Sequence, residues 1–188
     1  MKKTVEHLRY VRTDSEICSF YICNLFKIDA DKIELNDIFE LDLLHEKYFL
    51  EKREQNRTSK IQNWNLKYPK NKTKVINSYG PILKPTITAN DFEKHNFKEY
   101  ITKIELIIDS WRKAGDDYEA YDLEIFHNKF LTEFHDFNLN KRVYYFLDSD
   151  LIEQNKKHEF EWIYSWFFTI IGIDTESNTI LILNYGND

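Results

Sequence analysis

Glycine is scarce in this 188-residue chain: Gly80, Gly115, Gly172 and Gly186 are the only four. A phosphate-cradling P-loop and a G-x-G-x-x-G turn each need several glycines close together, so both are excluded. Cysteine is scarcer still. Cys18 and Cys23 are too few for a disulfide framework, and a C-x4-C spacing without a further Cys or His pair nearby is not a zinc pattern. Both are expected to be ordinary core side chains. Long apolar runs are also missing, since the longest, Trp162 to Ile173, is about twelve residues and contains Ser165 and Thr169. That is too short to span a bilayer. The first sixteen residues have two early lysines but no apolar segment and no small-residue cleavage site, so no secretory signal is read there and a cytoplasmic location is expected. H-E-x-x-H and G-x-S-x-G are absent, and no acidic residue stands two positions before a lysine. These absences remove the common metalloprotease, hydrolase and nuclease cores.

Aromatic residues, by contrast, make up 16% of the chain and gather most closely between Phe160 and Phe168. Read with period two, Phe160, Trp162, Tyr164, Trp166, Phe168 and Ile170 share one side, which predicts a strand with an aromatic face. Residues 174–178 supply turn-forming side chains, and residues 179–183 predict a second strand, so the two form an antiparallel hairpin. Each large apolar side chain buried there contributes about 1.5–3 kcal/mol, which makes this hairpin the main block of folding energy. Residues 142–147 predict a third strand, and residues 149–156 read as a polar connection.

Upstream, helical spacing recurs four times. Ile17, Phe20, Tyr21 and Leu25 predict a helix over residues 15–26, and Ile38, Leu41, Leu44, Tyr48 and Phe49 predict another over residues 37–55. Phe97, Ile101, Ile104, Ile108 and Trp111 predict a third, capped by Asn90 or Asp91 with Glu93 closing a capping box, and stopped by Gly115. Leu123, Phe126, Phe130, Phe134 and Phe137 predict a fourth after Asp116 and Asp117, where acids favour the helix dipole. Residues 4–12 fit a strand or a helix equally. The expected class is α+β: an antiparallel sheet of three or more strands, its aromatic face packed against four or so helices, in one domain spanning residues 1–188.

The net charge of −6 is unevenly spread. Residues 51–90 hold nine Lys and Arg against two acids, which leaves −13 on the rest. All three prolines lie in a loop-rich excursion at residues 56–90, with one short strand expected at residues 75–76. Here Arg57, Lys60, Lys67, Lys70, Lys72 and Lys74 flank Trp64 and Tyr68, preceded by Lys52 and Arg53. Cations for phosphates and rings for unpaired bases are the recipe for binding single-stranded nucleic acid. The competing reading is a solvated loop lying against the chain's own acidic body.

Opposite the phenylalanine stripe of the fourth helix, Tyr118, Tyr121 and Ile125 form a smaller apolar row, flanked by Asp117, Glu119, Asp122 and Glu124. Tyrosines among carboxylates suit a basic protein partner, because rings supply burial and acids supply steering. The competing reading is a helix buried on both sides. Two acid-x-x-His pairs, Asp42 with His45 and Glu124 with His127, would each put a carboxylate and an imidazole on one helix face, as in carboxylate-bridged di-metal sites. Chance alone supplies about one such pair in a chain this rich in acids, and no cofactor is expected. His95, four after Asp91 and four before Glu99, reads as part of a solvated helical stripe. In general composition the chain resembles the small, acidic, cytosolic α+β proteins that serve as immunity proteins or inhibitors of basic toxins. The leading expectation is a non-enzymatic protein-binding module acting through the 117–125 helix face. Nucleic-acid binding through residues 52–74, or an enzyme with an unrecognised carboxylate and histidine site, are the alternatives.

Overall fold

The computed structural model describes residues 3–16, 18–51, 77–159 and 161–187. In chain order its elements are β1 (Thr4–Asp14), β2 (Ser19–Asp29), the short helix α1 (Asn36–Glu40), a small hairpin of β3 (Ser78–Tyr79) and β4 (Ile82–Leu83), β5 (Glu93–His95), helices α2 (Phe97–Ala114) and α3 (Asp117–Glu133), then β6 (Val143–Asp148), β7 (Trp166–Asp174) and β8 (Thr179–Asn187). Six of the strands form one antiparallel sheet in the order β1-β2-β8-β7-β6-β5. The hairpin read around residues 174–178 is therefore present as β7 and β8, and it lies between β2 and β6. Asp174 organises the turn, accepting from the Glu176 N–H at 2.9 Å and from the Ser177 hydroxyl at 2.6 Å. Among the described residues no helix is long and apolar enough to cross a membrane.

Alternation along the strands sends side chains into two separate cores. Tyr21, Cys23 and Leu25 of β2, Leu181, Leu183 and Tyr185 of β8, and Trp166, Phe168 and Ile170 of β7 meet the inner stripes of α2 and α3. Phe20, Ile22 and Phe26 of β2, Ile180 and Ile182 of β8, and Phe167 and Ile171 of β7 face the other way. That second face is covered by irregular chain, with Ile38, Leu43, Leu44, Phe49, Tyr79, Ile82, Ile87 and Phe92 laid across it. The aromatic face of the hairpin packs on helices, as expected, but the described residues hold three helices rather than four or so, and only two exceed a turn or two.

Each departure from the expected elements has a local cause. Residues 15–26 are not a helix; most of them belong to β2, buried on both faces, so its outward and inward side chains are both apolar and the period of two disappears into a continuous run. Residues 4–12 are a strand, β1. Among the described residues, the helix expected over residues 37–55 survives only as α1 and a single 3-10 turn, Glu46–Phe49. Asp42 between them has φ 55°, which ends any helix, while Leu43 and Leu44 are buried against the sheet instead. Glu93 pairs with Phe146 in β5 rather than closing a cap, and α2 begins at Phe97, where Asn96 and Glu99 exchange side-chain bonds with each other's backbone at 3.0 and 2.8 Å. Gly115 does end α2, in the left-handed region at φ 93°. The aromatic strand starts at Trp166. Trp162 lies instead in the 3-10 turn Glu161–Ile163 and is 75% exposed. Phe160 and the strand expected at residues 75–76 lie outside the described residues.

Arg142, at the foot of β6, is buried and holds the far end of the sheet together. It donates to the carbonyls of Phe137, Gly172 and Thr179 and to the Thr179 hydroxyl, at 2.8–3.1 Å. Burial lowers its pKa, yet a guanidinium with four acceptors stays charged.

Candidate partner-binding face

Helix α3 is anchored before it can present anything. Ala120, Leu123, Phe126, His127 and Phe130 are buried on its inner side, and Phe126 stacks against Tyr21 of β2 with centroids 6.1 Å apart. At its C-terminal end the Arg9 guanidinium lies 4.5 Å from the Phe134 ring and donates to the Glu133 carbonyl at 2.8 Å. Lys129 reaches the Thr13 hydroxyl at 2.8 Å. Across the helix pair, Arg112 of α2 binds Glu124 at 2.6 Å.

The opposite side of this fixed helix carries Tyr118, Tyr121 and Ile125, exposed by 75%, 59% and 42%. Spacings of three and four put them on one stripe. The row is therefore on the surface, which excludes a helix buried on both sides. Its acids divide into two kinds. Asp117 is exposed and Glu119 half-buried, whereas Glu124 is already engaged with Arg112. Asp122 is half-buried, and its Oδ2 is enclosed without a hydrogen-bond partner among the described residues.

No protein-family model matches the sequence, and comparisons with curated proteins and with solved structures give no significant match. The site is argued from its own geometry.

The other candidate residues do not assemble. Asp42 forms an ion pair with Lys84, and His45 caps the 3-10 turn by accepting from the Lys47 N–H at 2.9 Å. Both lie in the irregular layer. Glu124 and His127 lie on α3, across the sheet, so the two acid-x-x-His pairs are separated by a full β layer. Among the described residues no group of three or more His, Cys, Asp or Glu is placed to hold a metal ion. His127 is instead a buried partner of the Tyr100 hydroxyl, 3.1 Å from its Nδ1, and burial lowers its pKa to about 4. His95 lies in β5, not on a helix; its neighbours Asp91 and Glu99 are taken up by Thr88 and Asn96. Cys23 is buried as expected, and desolvation raises its thiol well above the usual range. Cys18 is exposed in the β1–β2 turn at φ 67°, contrary to the core expectation. The basic residues Lys52, Arg53, Arg57, Lys60, Lys67, Lys70, Lys72 and Lys74, with Trp64 and Tyr68, lie outside the described residues.

One buried group had no sequence signal. Glu46 sits inside a charged run, His45-Glu46-Lys47, yet it is only 8% exposed. It accepts from the Ser78 hydroxyl at 3.0 Å, and burial raises its pKa to about 7 against the opposing pull of Ser78, the Gly80 backbone and Lys84.

Proposed function

We propose that this chain is a non-enzymatic protein-binding module that takes a basic partner on the exposed row of α3, in the manner of an inhibitor or immunity protein. The observation that carries the reading is the exposure of Tyr118, Tyr121 and Ile125 on one stripe of a helix whose other side is packed into the core. A rigid helix loses little conformational entropy on docking, and tyrosines give large contact area with few rotors. Asp117, Glu119 and Asp122 beside the row supply the negative field that speeds encounter with a basic surface. Glu124 contributes to that field less than its neighbours, because Arg112 neutralises it.

The test is capture of native lysate at low salt on two immobilised forms in parallel, the unchanged chain and the Tyr118→Ala, Tyr121→Ala double variant. A stoichiometric basic protein held by the first and released by the second is the expected result. Truncating two interface aromatics weakens binding by about 2 kcal/mol or more, roughly thirtyfold. Reversal of Asp117 and Asp122 to Lys is expected to slow association while leaving dissociation nearly unchanged. A partner retained equally by both forms would remove this surface from consideration.

A further inference from the structure

The β3–β4 hairpin, residues 78–83, is a two-stranded sheet separate from the main one, and so short a ribbon has little stability of its own. Its place on the body depends on what grips it. Tyr79 is fully buried and donates to Asn184, and Ile82 forms a bridge to Lys157. His158 holds the turn from one side, donating to the carbonyls of Gly80 and Pro81 at 2.9 and 3.2 Å. Glu46 holds it from the other, accepting from the Ser78 hydroxyl at 3.0 Å and from the Gly80 N–H. The turn has no slack, since Gly80 sits at φ 55° and a Cβ there would come 2.7 Å from the Phe167 ring.

Among these grips Glu46 is the carboxyl, and it is buried with nothing to balance a charge. Lys84, the cation at the end of the hairpin, pairs with Asp42. Lys47, on the same 3-10 turn, lies 4.8 Å from the centre of the Tyr48 ring, and Lys157 pairs with Glu161. His45 caps the turn with its pKa lowered by burial, His158 serves Gly80, and the Tyr79 phenol is kept neutral by burial. Glu46 itself has two donors and no ion pair among the described residues. In that setting the acid is favoured, because its O–H finds the Ser78 oxygen, whereas the anion gains by meeting water. We propose that Glu46 is a proton-operated latch: as the acid it keeps the β3–β4 hairpin on the sheet, and as the anion it favours a locally opened state in which water reaches the carboxylate. Docked, Glu46 titrates at about 7; exposed, it would titrate near the ordinary 4.5. Opening between those values therefore releases one proton, and rising pH promotes it until about 7.

The experiment is amide hydrogen exchange of the full chain, followed by NMR from about pH 5 to 8 with intrinsic rates divided out, in water and in dilute urea. Gly80, Ile82 and Lys84 are expected to exchange more readily than the amides of β8, through an opening that dilute urea hardly affects. Their protection is expected to fall about tenfold per pH unit from about pH 5 to 7 and to level off above. Glu46→Gln, which keeps an acceptor for Ser78 and Gly80, is expected to remove that decline. Asp42→Asn, a residue that tolerates the left-handed backbone there, frees Lys84 to neutralise Glu46 and is expected to end the decline at a lower pH. Protection that stays flat over that range, that declines equally in Glu46→Gln, or that is lost only in step with β8 would each overturn the proposal.

Discussion

The two faces of the sheet are covered by different materials, and the difference is written into their polar side chains. On one face α2 and α3 satisfy most of their own backbone hydrogen bonds, so the strands offer them mainly apolar surface, with Arg9 of β1 donating to the Glu133 carbonyl at the end of α3. Tyr21 and Tyr185 on that side have hydroxyls without partners among the described residues. On the other face irregular chain must find partners for its backbone, and the strands and loops provide them. Asn24 donates to the Tyr48 carbonyl at 3.0 Å, Tyr10 to Phe49 at 2.7 Å, and His158 to Gly80 at 2.9 Å. Tyr79 and Thr169 both donate to Asn184 Oδ1, at 2.5 and 2.9 Å. A helix needs little more than an apolar floor, whereas loops laid across a sheet need an apolar floor with acceptors and donors set into it.

The comparison is most easily broken by deleting one phenylalanine from each cover. Phe130→Ala removes a fully buried ring beneath regular helices that cannot collapse into the gap, and a loss of about 3–5 kcal/mol is expected. Phe49→Ala, in the irregular layer, is expected to lose less, about 2–3 kcal/mol, because loop chain relaxes more readily into a void. Urea denaturation measures both; equal losses would mean that the irregular layer is as rigid as the helical one.

Titration sharpens the contrast, because each face buries a group whose displaced pKa falls between about 4 and 7. Between about pH 4.5 and 7 the unfolded chain has released the proton that folded Glu46 still holds, so this group makes stability fall as pH rises through that window. Between about pH 6.5 and 4 the unfolded chain binds a proton that folded His127 refuses, so that group makes stability fall as pH drops. Each contributes on the order of 3 kcal/mol across its window. Glu46→Gln is expected to abolish the first decline and His127→Gln the second, read as denaturation midpoints from pH 4 to 8. The smallest effect compares one substitution on both sides. Tyr79→Phe removes one of the two donors to Asn184 Oδ1, Thr169 keeping the other, and is expected to lose about 0.5–1.5 kcal/mol, while Tyr185→Phe, equally buried but with a hydroxyl unpartnered among the described residues, is expected to be neutral or stabilising. A Tyr185→Phe loss matching that of Tyr79→Phe would show that its hydroxyl is bonded in solution.

The helical cover was legible in the sequence for the same reason that it is simple. Phe97, Ile104 and Ile108 repeat at helical spacing against a polar outer side, and Gly115 marks the end. The α3 row was legible as a pattern, though periodicity cannot say whether a second apolar stripe meets solvent or another layer. What escaped was everything whose burial is not periodic. β2 is apolar on both sides, so Phe20, Tyr21 and Leu25 match a helical template by accident. Leu41, Leu44 and Phe49 likewise suggest a helix, but they are contacts of an irregular path across the sheet. The joint at Glu46 unites side chains 32 residues apart, from a 3-10 turn and the β3–β4 hairpin, and no local spacing encodes that meeting.

The pairing of β2 with β8 sets a schedule for the chain during synthesis. Lys27 lies opposite Thr179, so β2 finds its inner neighbour only after β8 has left the ribosome, about 150 residues later. At about 5–20 residues per second that interval is roughly ten to thirty seconds. Through it the nascent chain exposes Phe20, Ile22, Leu25 and Phe26 on a half-built ribbon, a segment that chaperones would bind.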